Sequence, residues 1–225
     1  MGSIDADFSV IPETFSTPFS KLELREMHSI GDVFKAMRNH WRLPHSDRCL
    51  TAAAFYGVRR GLVDGAGIER AIIRPAAHLS ELIPVAGRRS SWTSVQHHSP
   101  LQLPCLERPT WLVLSLAALV VGIAGCAWWL APGAIVGFLL AVACSGLLGW
   151  TAAFVTTPLA RNFPCETIGD MSRCALRLNF PLLTQSRGYV NEHEAWDLLV
   201  TLIQEQTGAS KEEILWDTPL LQLFK

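Results

Sequence analysis

From Pro109 to Ala160 the chain contains no Asp, Glu, Lys, Arg or His. Over all 225 residues charged side chains make up 17%, against about a quarter in ordinary soluble domains. A stretch with no ionisable group offers no proton relay and no ion pathway, which argues against a transporter or a channel. The flanks are ordinary by comparison. Residues 1–109 carry thirteen basic and eleven acidic side chains, and residues 161–225 carry six and nine. Neither flank has the basic excess that nucleic-acid binding needs. No partner of that kind is expected.

Other signals are missing too. The six cysteines include no CxxC pair, so neither a zinc site nor a disulfide framework is indicated. Free thiols in a reducing compartment are the ordinary reading. Cys105 and Cys165 flank the charge-free stretch, where lipidation or pairing is the alternative. The N-terminus has no basic segment leading into an apolar run, so no signal peptide is expected. Met1-Gly2-Ser3-Ile4-Asp5-Ala6 begins like a myristoylation site but has Ala6 where Ser or Thr belongs. No Walker loop, paired carboxylates or Ser/His/Asp set can be assembled. No catalytic, cofactor-binding or metal-binding residue is therefore expected, and the chain reads as a non-enzyme without a cofactor. His40, His45 and Cys49 form the nearest thing to a metal set, and His97-His98 lies in a polar stretch. Ordinary surface roles account for both. Gly65-Ala-Gly67 follows a helix instead of opening one, so it cannot cradle phosphate.

What the charge-free stretch does have is two apolar runs. Trp111 to Ala131 supplies about 20 apolar residues, enough to cross a bilayer core at 1.5 Å per residue. Pro132-Gly133 breaks the helix, Ala134 to Val155 forms a second run, and Pro158 and Arg161 end it. Trp111, Trp128, Trp129 and Trp150 fall where an interfacial aromatic belt would. Arg88, Arg89 and Arg108 precede the first run, and Arg161, Arg173 and Arg177 follow the second. The positive-inside rule places both flanks, and both termini, in the cytoplasm. Small residues recur every fourth position in the second run (Gly133, Gly137, Ala141, Ser145, Gly149, Ala153). The first run has Ser115, Ala118, Gly122 and Gly125. Such faces suit packing of the two helices on each other, or self-association into a homo-oligomer. Arg88-Arg89, near the first run, reads equally well as a headgroup contact or as solvated; Arg59-Arg60 reads as solvated.

The flanks repeat. Ser29-Ile-Gly-Asp32 and Thr167-Ile-Gly-Asp170 both carry a helix-capping pattern, predicting helices over about 31–40 and 169–178. Pro-containing loops follow, at Pro44 and Pro181. A longer helix comes next. In the C-terminal copy it spans about 192–207, with Trp196, Leu199, Val200 and Ile203 on one face and Gly208 as its stop. In the N-terminal copy Phe55, Val58 and Leu62 match, and Gly67 is the stop. From each glycine the apolar register agrees: Ile73 with Ile214, Leu79 with Leu220, Leu82 with Leu223, Ile83 with Phe224. This is a duplication, too short for a solenoid.

Glu194 to Phe224, "EAWDLLVTLIQEQTGASKEEILWDTPLLQLF", resembles the first half of an acyl carrier protein domain. The resemblance rests on Gly208, Ile214, Asp217 and Leu220. Gly65 to Ile83 is a fainter version. The resemblance implies a small carrier-like helical fold in each flank. The family attaches phosphopantetheine to the Ser of an Asp-Ser-Leu motif. The C-terminal copy stops at Lys225 before that helix, and the N-terminal copy reads Pro84-Val-Ala-Gly-Arg-Arg-Ser-Ser-Trp92 there. Ser80, Ser90 and Ser91 are not in that setting. What the resemblance implies is a carrier-like fold without the prosthetic group.

The expected architecture is a mainly α membrane protein in which two small carrier-like helical units flank a two-helix transmembrane hairpin. Residues 1–20 are expected to be flexible, 21–84 to form unit 1, 85–109 a linker, 110–157 the hairpin and 158–225 unit 2. The hairpin lets the units meet as a pseudo-symmetric pair, with the helices around Phe55 and Trp196 close together. The setting that fits is an integral protein of a bacterial inner membrane. The leading functional expectation is a non-catalytic, membrane-anchored adaptor or accessory subunit that binds a protein partner. Two others stand beside it: a component of lipid or acyl metabolism, and a membrane immunity protein.

Overall fold

The computed structural model describes residues 10–130, 143, 146 and 160–223. The expected turn at Pro132-Gly133, the second apolar run with its small-residue face, and Trp150 lie outside the described residues, apart from isolated positions. The protein is mainly helical, and no strand is present among the described residues. In chain order the helices are α1 (Val10–Phe15), α2 (Lys21–Glu26), α3 (Ile30–His40), α4 (Leu50–Ala66), α5 (Leu79–Leu82), α6 (Arg88–His98), α7 (Thr110–Leu130), α8 (Ile168–Leu178), α9 (Phe180–Arg187), α10 (Glu192–Thr207) and α11 (Leu220–Leu223).

The repeated tetrapeptide caps a helix in both places. Ser29 Oγ accepts from Asp32 N while Asp32 Oδ2 accepts from Ser29 N, at 3.3 and 3.1 Å. Thr167 Oγ1 and Asp170 do the same at 3.1 and 3.2 Å. Two amides that a helix start leaves unpaired are thereby satisfied. Each helix then buries one face: Ile30, Val33, Phe34 and Met37 in α3, and Ile168, Met171, Ala175 and Leu176 in α8. The longer helices α4 and α10 both end on a left-handed glycine, Gly67 at φ 66° and Gly208 at φ 71°, a conformation that a Cβ would strain.

The copies are interlocked. After α10 the chain crosses to the start of α3, where Ser29 and Pro219 form an antiparallel bridge. Gly31 N donates to Trp216 O, Ile30 N to Thr218 O, and Leu220 N to His28 O. After α4 the chain crosses to the start of α8 in the same way. His78 and Thr167 form the bridge, Gly169 N donates to Pro75 O, Ile168 N to Ala77 O, and Leu79 N to Glu166 O. Each copy's tail therefore completes the helix start of the other. The glycine of each tetrapeptide lies under that crossing. A Cβ on Gly31 would stand 2.5 Å from the Trp216 ring, and one on Gly169 3.1 Å from Pro75 O.

One apolar core runs through both copies. Each copy's long helix packs toward the other's capped helix: α4 lies against α8, and Trp196 of α10 meets Phe34 of α3 at 5.3 Å between ring centroids. The units expected at 21–84 and 158–225 share one apolar core, and each supplies carbonyls to the other's helix start. The helices around Phe55 and Trp196 also meet at one end, where Glu194 of α10 accepts from Leu50 N and Thr51 N of α4.

Three stretches differ from expectation. Residues 85–109 carry α6, whose Trp92 and Val95 are fully buried. It packs tightly on α4 because Gly61 and Gly65 leave room for its C-terminal half, as Gly57 does for Leu101 just beyond it; a Cβ on Gly65 would stand 2.6 Å from Val95 Cα. Pro181 does not close a loop but sits in the first turn of α9, where its missing N–H costs nothing. Residues 10–15 form α1, with Ile11 and Phe15 buried and Phe15 edge-on to Phe180 at 4.9 Å, so part of the expected flexible segment belongs to the core.

Candidate functional site

The two ends of the charge-free stretch meet. Glu107 and Asn162 form an antiparallel bridge, in which Glu107 N donates to Asn162 O at 2.8 Å and both Arg161 N and Asn162 N donate to Glu107 O. Arg88 locks this junction from below. Its Nε donates to Ile83 O at 3.1 Å and its Nη1 to Arg161 O at 2.8 Å. The guanidinium lies 4.8 Å from the Phe163 ring centroid, and Phe163 packs edge-on against Trp92. Burial lowers the Arg88 pKa from the ordinary arginine value. The headgroup contact considered for Arg88 is therefore displaced by a role inside the protein, while Arg89 is exposed. Arg59 donates to Arg70 O, and Arg60 pairs with Asp64 at 3.4 Å.

Beyond the junction, most of the described apolar side chains of α7 are uncovered, while Leu112 in its first turn is buried. Trp111 is 67% exposed, Leu114 65% and Val121 70%. Among the described residues no helix is long and apolar enough to cross a membrane. The α7 side chains at 116, 123, 124 and 127–130 lie outside that set.

A cavity of about 500 Å³ opens between α8 and α10, beside the N-terminus of α4. Cys165, Asp170, Arg173, Cys174, Arg177, Glu194, Asp197 and Glu205 are among its lining residues. Arg173 pairs with Asp170 and Arg177 with Glu205, and Lys211 reaches Asp197 at 3.3 Å. The Cys165 and Cys174 sulfurs are 2.8 Å apart. The hydrogen bond from Cys165 is the main influence lowering Cys174 to about 7; burial opposes it and Arg177 adds to it. The same contact, with burial, pushes Cys165 up. Either sulfur can donate in this contact, and the opposed shifts make Cys174 the more acidic of the two. The pairing considered for Cys105 and Cys165 is not the one found: Cys105 is exposed, and the neighbour of Cys165 is Cys174.

Glu194 connects the cavity to α4. Its carboxylate accepts from Leu50 N at 2.5 Å, Thr51 N at 3.0 Å and the Cys49 thiol at 3.0 Å. Burial alone would raise its pKa, but the hydrogen bonds from Cys49, Thr51 and Leu50 outweigh burial and hold it below the usual carboxylate range. Burial and the bond to Glu194 raise Cys49. His40 turns to Glu23 at 3.1 Å and His45 to Glu192 at 2.8 Å. The loose set His40, His45 and Cys49 is thus distributed over three different carboxylates. His98 Nδ1 lies 2.8 Å from Ser94 O within α6. Among the described residues no group of acidic, His or Cys side chains is arranged to hold a metal.

The Cys165–Cys174 pair was not anticipated from the sequence, since a spacing of nine residues between a loop and a helix matches no familiar motif. Neither was the Glu194 cap, which joins residues far apart in the chain. Compared with known proteins, the chain matches no family model, no curated protein and no solved structure.

Proposed function

We propose that the protein is a non-catalytic adaptor, anchored in a membrane by residues 110–157 as a helical hairpin, whose interlocked helical head binds a protein partner. The observation that carries the reading is the Glu107–Asn162 bridge. It gathers both ends of a charge-free sequence at one point on the head, as a hairpin that enters and leaves by one face requires. The uncovered apolar side chains of α7 support lipid contact: a helix of 21 residues reaches about 30 Å, one hydrocarbon thickness. The described side chains alone do not complete a span; the sequence through Leu116, Ile123 and Ala127–Leu130 supplies the rest. On this reading the head stays on the cytoplasmic side, and the setting is a bacterial inner membrane.

For the partner, the head carries exposed Leu178 and Leu182 on neighbouring helices, and exposed Leu215 and Trp216 at one tail crossing. These are apolar positions suited to a helix or loop of another protein. The carrier-like kinship remains part of this proposal, as a fold reused without its prosthetic group.

Two measurements test it. After an alkaline carbonate wash the chain is expected to stay in the membrane pellet. A Leu119→Arg variant, which places a charge costing about 3 kcal/mol at mid-helix, is expected to shift toward the supernatant. Complete release of the unaltered chain refutes the anchor. A photo-reactive residue at Leu182 is expected to cross-link one defined protein in native membranes, and the same group at Asp64 is not. Cross-linking from neither position refutes the adaptor.

A further inference from the structure

We propose that Cys165 and Cys174 form a redox-active dithiol, with Cys174 as the attacking thiolate, Cys165 as the resolving thiol and a small hydroperoxide as the oxidant. Geometry carries the assignment. The sulfurs lie 2.8 Å apart, and the two residues come from different elements, the segment leaving the charge-free stretch and the middle of α8. Both line a cavity of about 500 Å³, which gives a small reagent a way in. A pair of thiols that merely filled core space would have no such opening. Cys174 is half-buried and Cys165 buried, so the outer sulfur is the one a reagent meets first.

The charge around the pair fits that division of roles. Arg177 lies one helical turn from Cys174 and favours its thiolate, against weaker opposition from Glu205 and Asp170. Asp170 and Glu107 face Cys165 and favour its protonated form. A thiolate whose pKa lies near the ambient pH is the most effective attacker, because it is both populated and nucleophilic.

The reaction balances in two steps. The Cys174 thiolate attacks the terminal oxygen of the hydroperoxide and the O–O bond breaks. The alkoxide leaves and takes up a proton as the alcohol, and Cys174 becomes the sulfenic acid. The Cys165 sulfur, having given up its proton, then attacks the Cys174 sulfur. The S–O bond breaks, hydroxide leaves as water on protonation, and the disulfide forms. Two sulfurs lose two electrons in total, and the peroxide gains them. The product ties the returning chain, three residues past Asn162, to α8, and so ties the junction of the charge-free stretch to the head. A thiol reductant reverses it.

The experiment uses the full chain in detergent, treated with equimolar hydrogen peroxide and then alkylated. Peptide mass spectrometry is expected to find a Cys165–Cys174 disulfide that dithiothreitol removes. Cys165→Ser is expected to stop at the sulfenic acid, trapped on Cys174 by dimedone. Cys174→Ser is expected to yield neither product. Without peroxide, alkylation of Cys174 is expected to rise through a midpoint near pH 7, and the midpoint is expected to move up by at least one pH unit in Cys165→Ser. The proposal is overturned if the exposed Cys105 and Cys126 oxidise while the pair stays reduced. It is equally overturned if the alkylation midpoint is the same with and without Cys165. Both variants retain a side chain of nearly the same size, and an unchanged circular dichroism spectrum confirms that each has folded.

Discussion

Replacing Glu194 should destabilise the head more than replacing any other carboxylate described. The side chain leaves α10 and closes the N-terminus of α4, accepting two backbone amides and a thiol. Leu50 is fully buried, so water reaches its amide poorly once the carboxylate is gone. Leaving such a donor unpaired costs about 1–3 kcal/mol. Losing a negative charge at a helix N-terminus adds roughly 0.3–1 kcal/mol. Together these predict a loss of about 1.3–4 kcal/mol for Glu194→Ala. Glu194→Gln keeps one acceptor oxygen and should lose roughly half as much. The assay is urea unfolding of the detergent-solubilised chain followed by tryptophan fluorescence, with the exposed Glu212→Ala as the reference. A Glu194→Ala loss within about 0.5 kcal/mol of that reference, the range of a neutral surface change, would refute the reasoning. The pH dependence has a definite sign. A carboxylate held below its unfolded pKa contributes stability that is fully present above that value and is lost as pH falls through the folded one. The acid side of the stability profile, below about pH 4.5, should therefore be shallower in Glu194→Gln than in the native chain.

The paired caps should behave alike. Ser29→Ala and Thr167→Ala should each cost about 1 kcal/mol in the same unfolding assay, and a cost confined to one of them would break the equivalence of the two copies. Asp32 and Asp170 are held below the usual carboxylate range chiefly by the hydroxyls of Ser29 and Thr167, so their nuclear magnetic resonance titrations should move up in those variants. Gly65→Ala should destabilise by roughly 1–3 kcal/mol through overpacking, even though alanine gains about 1 kcal/mol of helix propensity. The reason is that the new methyl meets the backbone of α6 rather than a side chain that can turn aside. A stabilised Gly65→Ala variant would show that α6 does not press on α4.

Local chemistry was the legible part of the sequence. The caps at Ser29 and Thr167, the stop glycines 67 and 208, and the span of the helix Glu192–Thr207 each depend on residues within a few positions of one another. The helices that escaped notice depend on something else. Residues 88–98 have little apolar content beyond Trp92 and Val95, so no periodicity announces α6. The signal lay on its partner, where Gly57, Gly61 and Gly65 recur every fourth residue and hold a groove open. The same spacing has its familiar meaning inside a charge-free stretch, where small residues let helices pack closely in lipid. In α9, Pro181 read as a stop because proline usually ends helices, yet it occupies the one turn where a helix tolerates it. Asn179 supplies the rest, its buried amide bonding both backbone groups of Gln102. The dithiol and the Glu194 cap have no local signature, since each joins positions that only the fold brings together.

The interlocking gives every position of the repeated tetrapeptide a physical role. In a single copy the amides of Ile30 and Gly31 would face solvent, and the tail after Gly67 would have nothing to pair with. Placed beside a second copy, each tail supplies carbonyls to the other's helix start, and the glycine gives the crossing chain room. The serine or threonine and the aspartate then serve the helix, while the glycine serves the partner copy. The junction at Glu107 and Asn162 follows from the same arrangement. Once the tail crossing at His78 fixes Thr167 against the first half, the chain returning through Asn162 has few residues in which to arrive. It must leave the head close to where it came in.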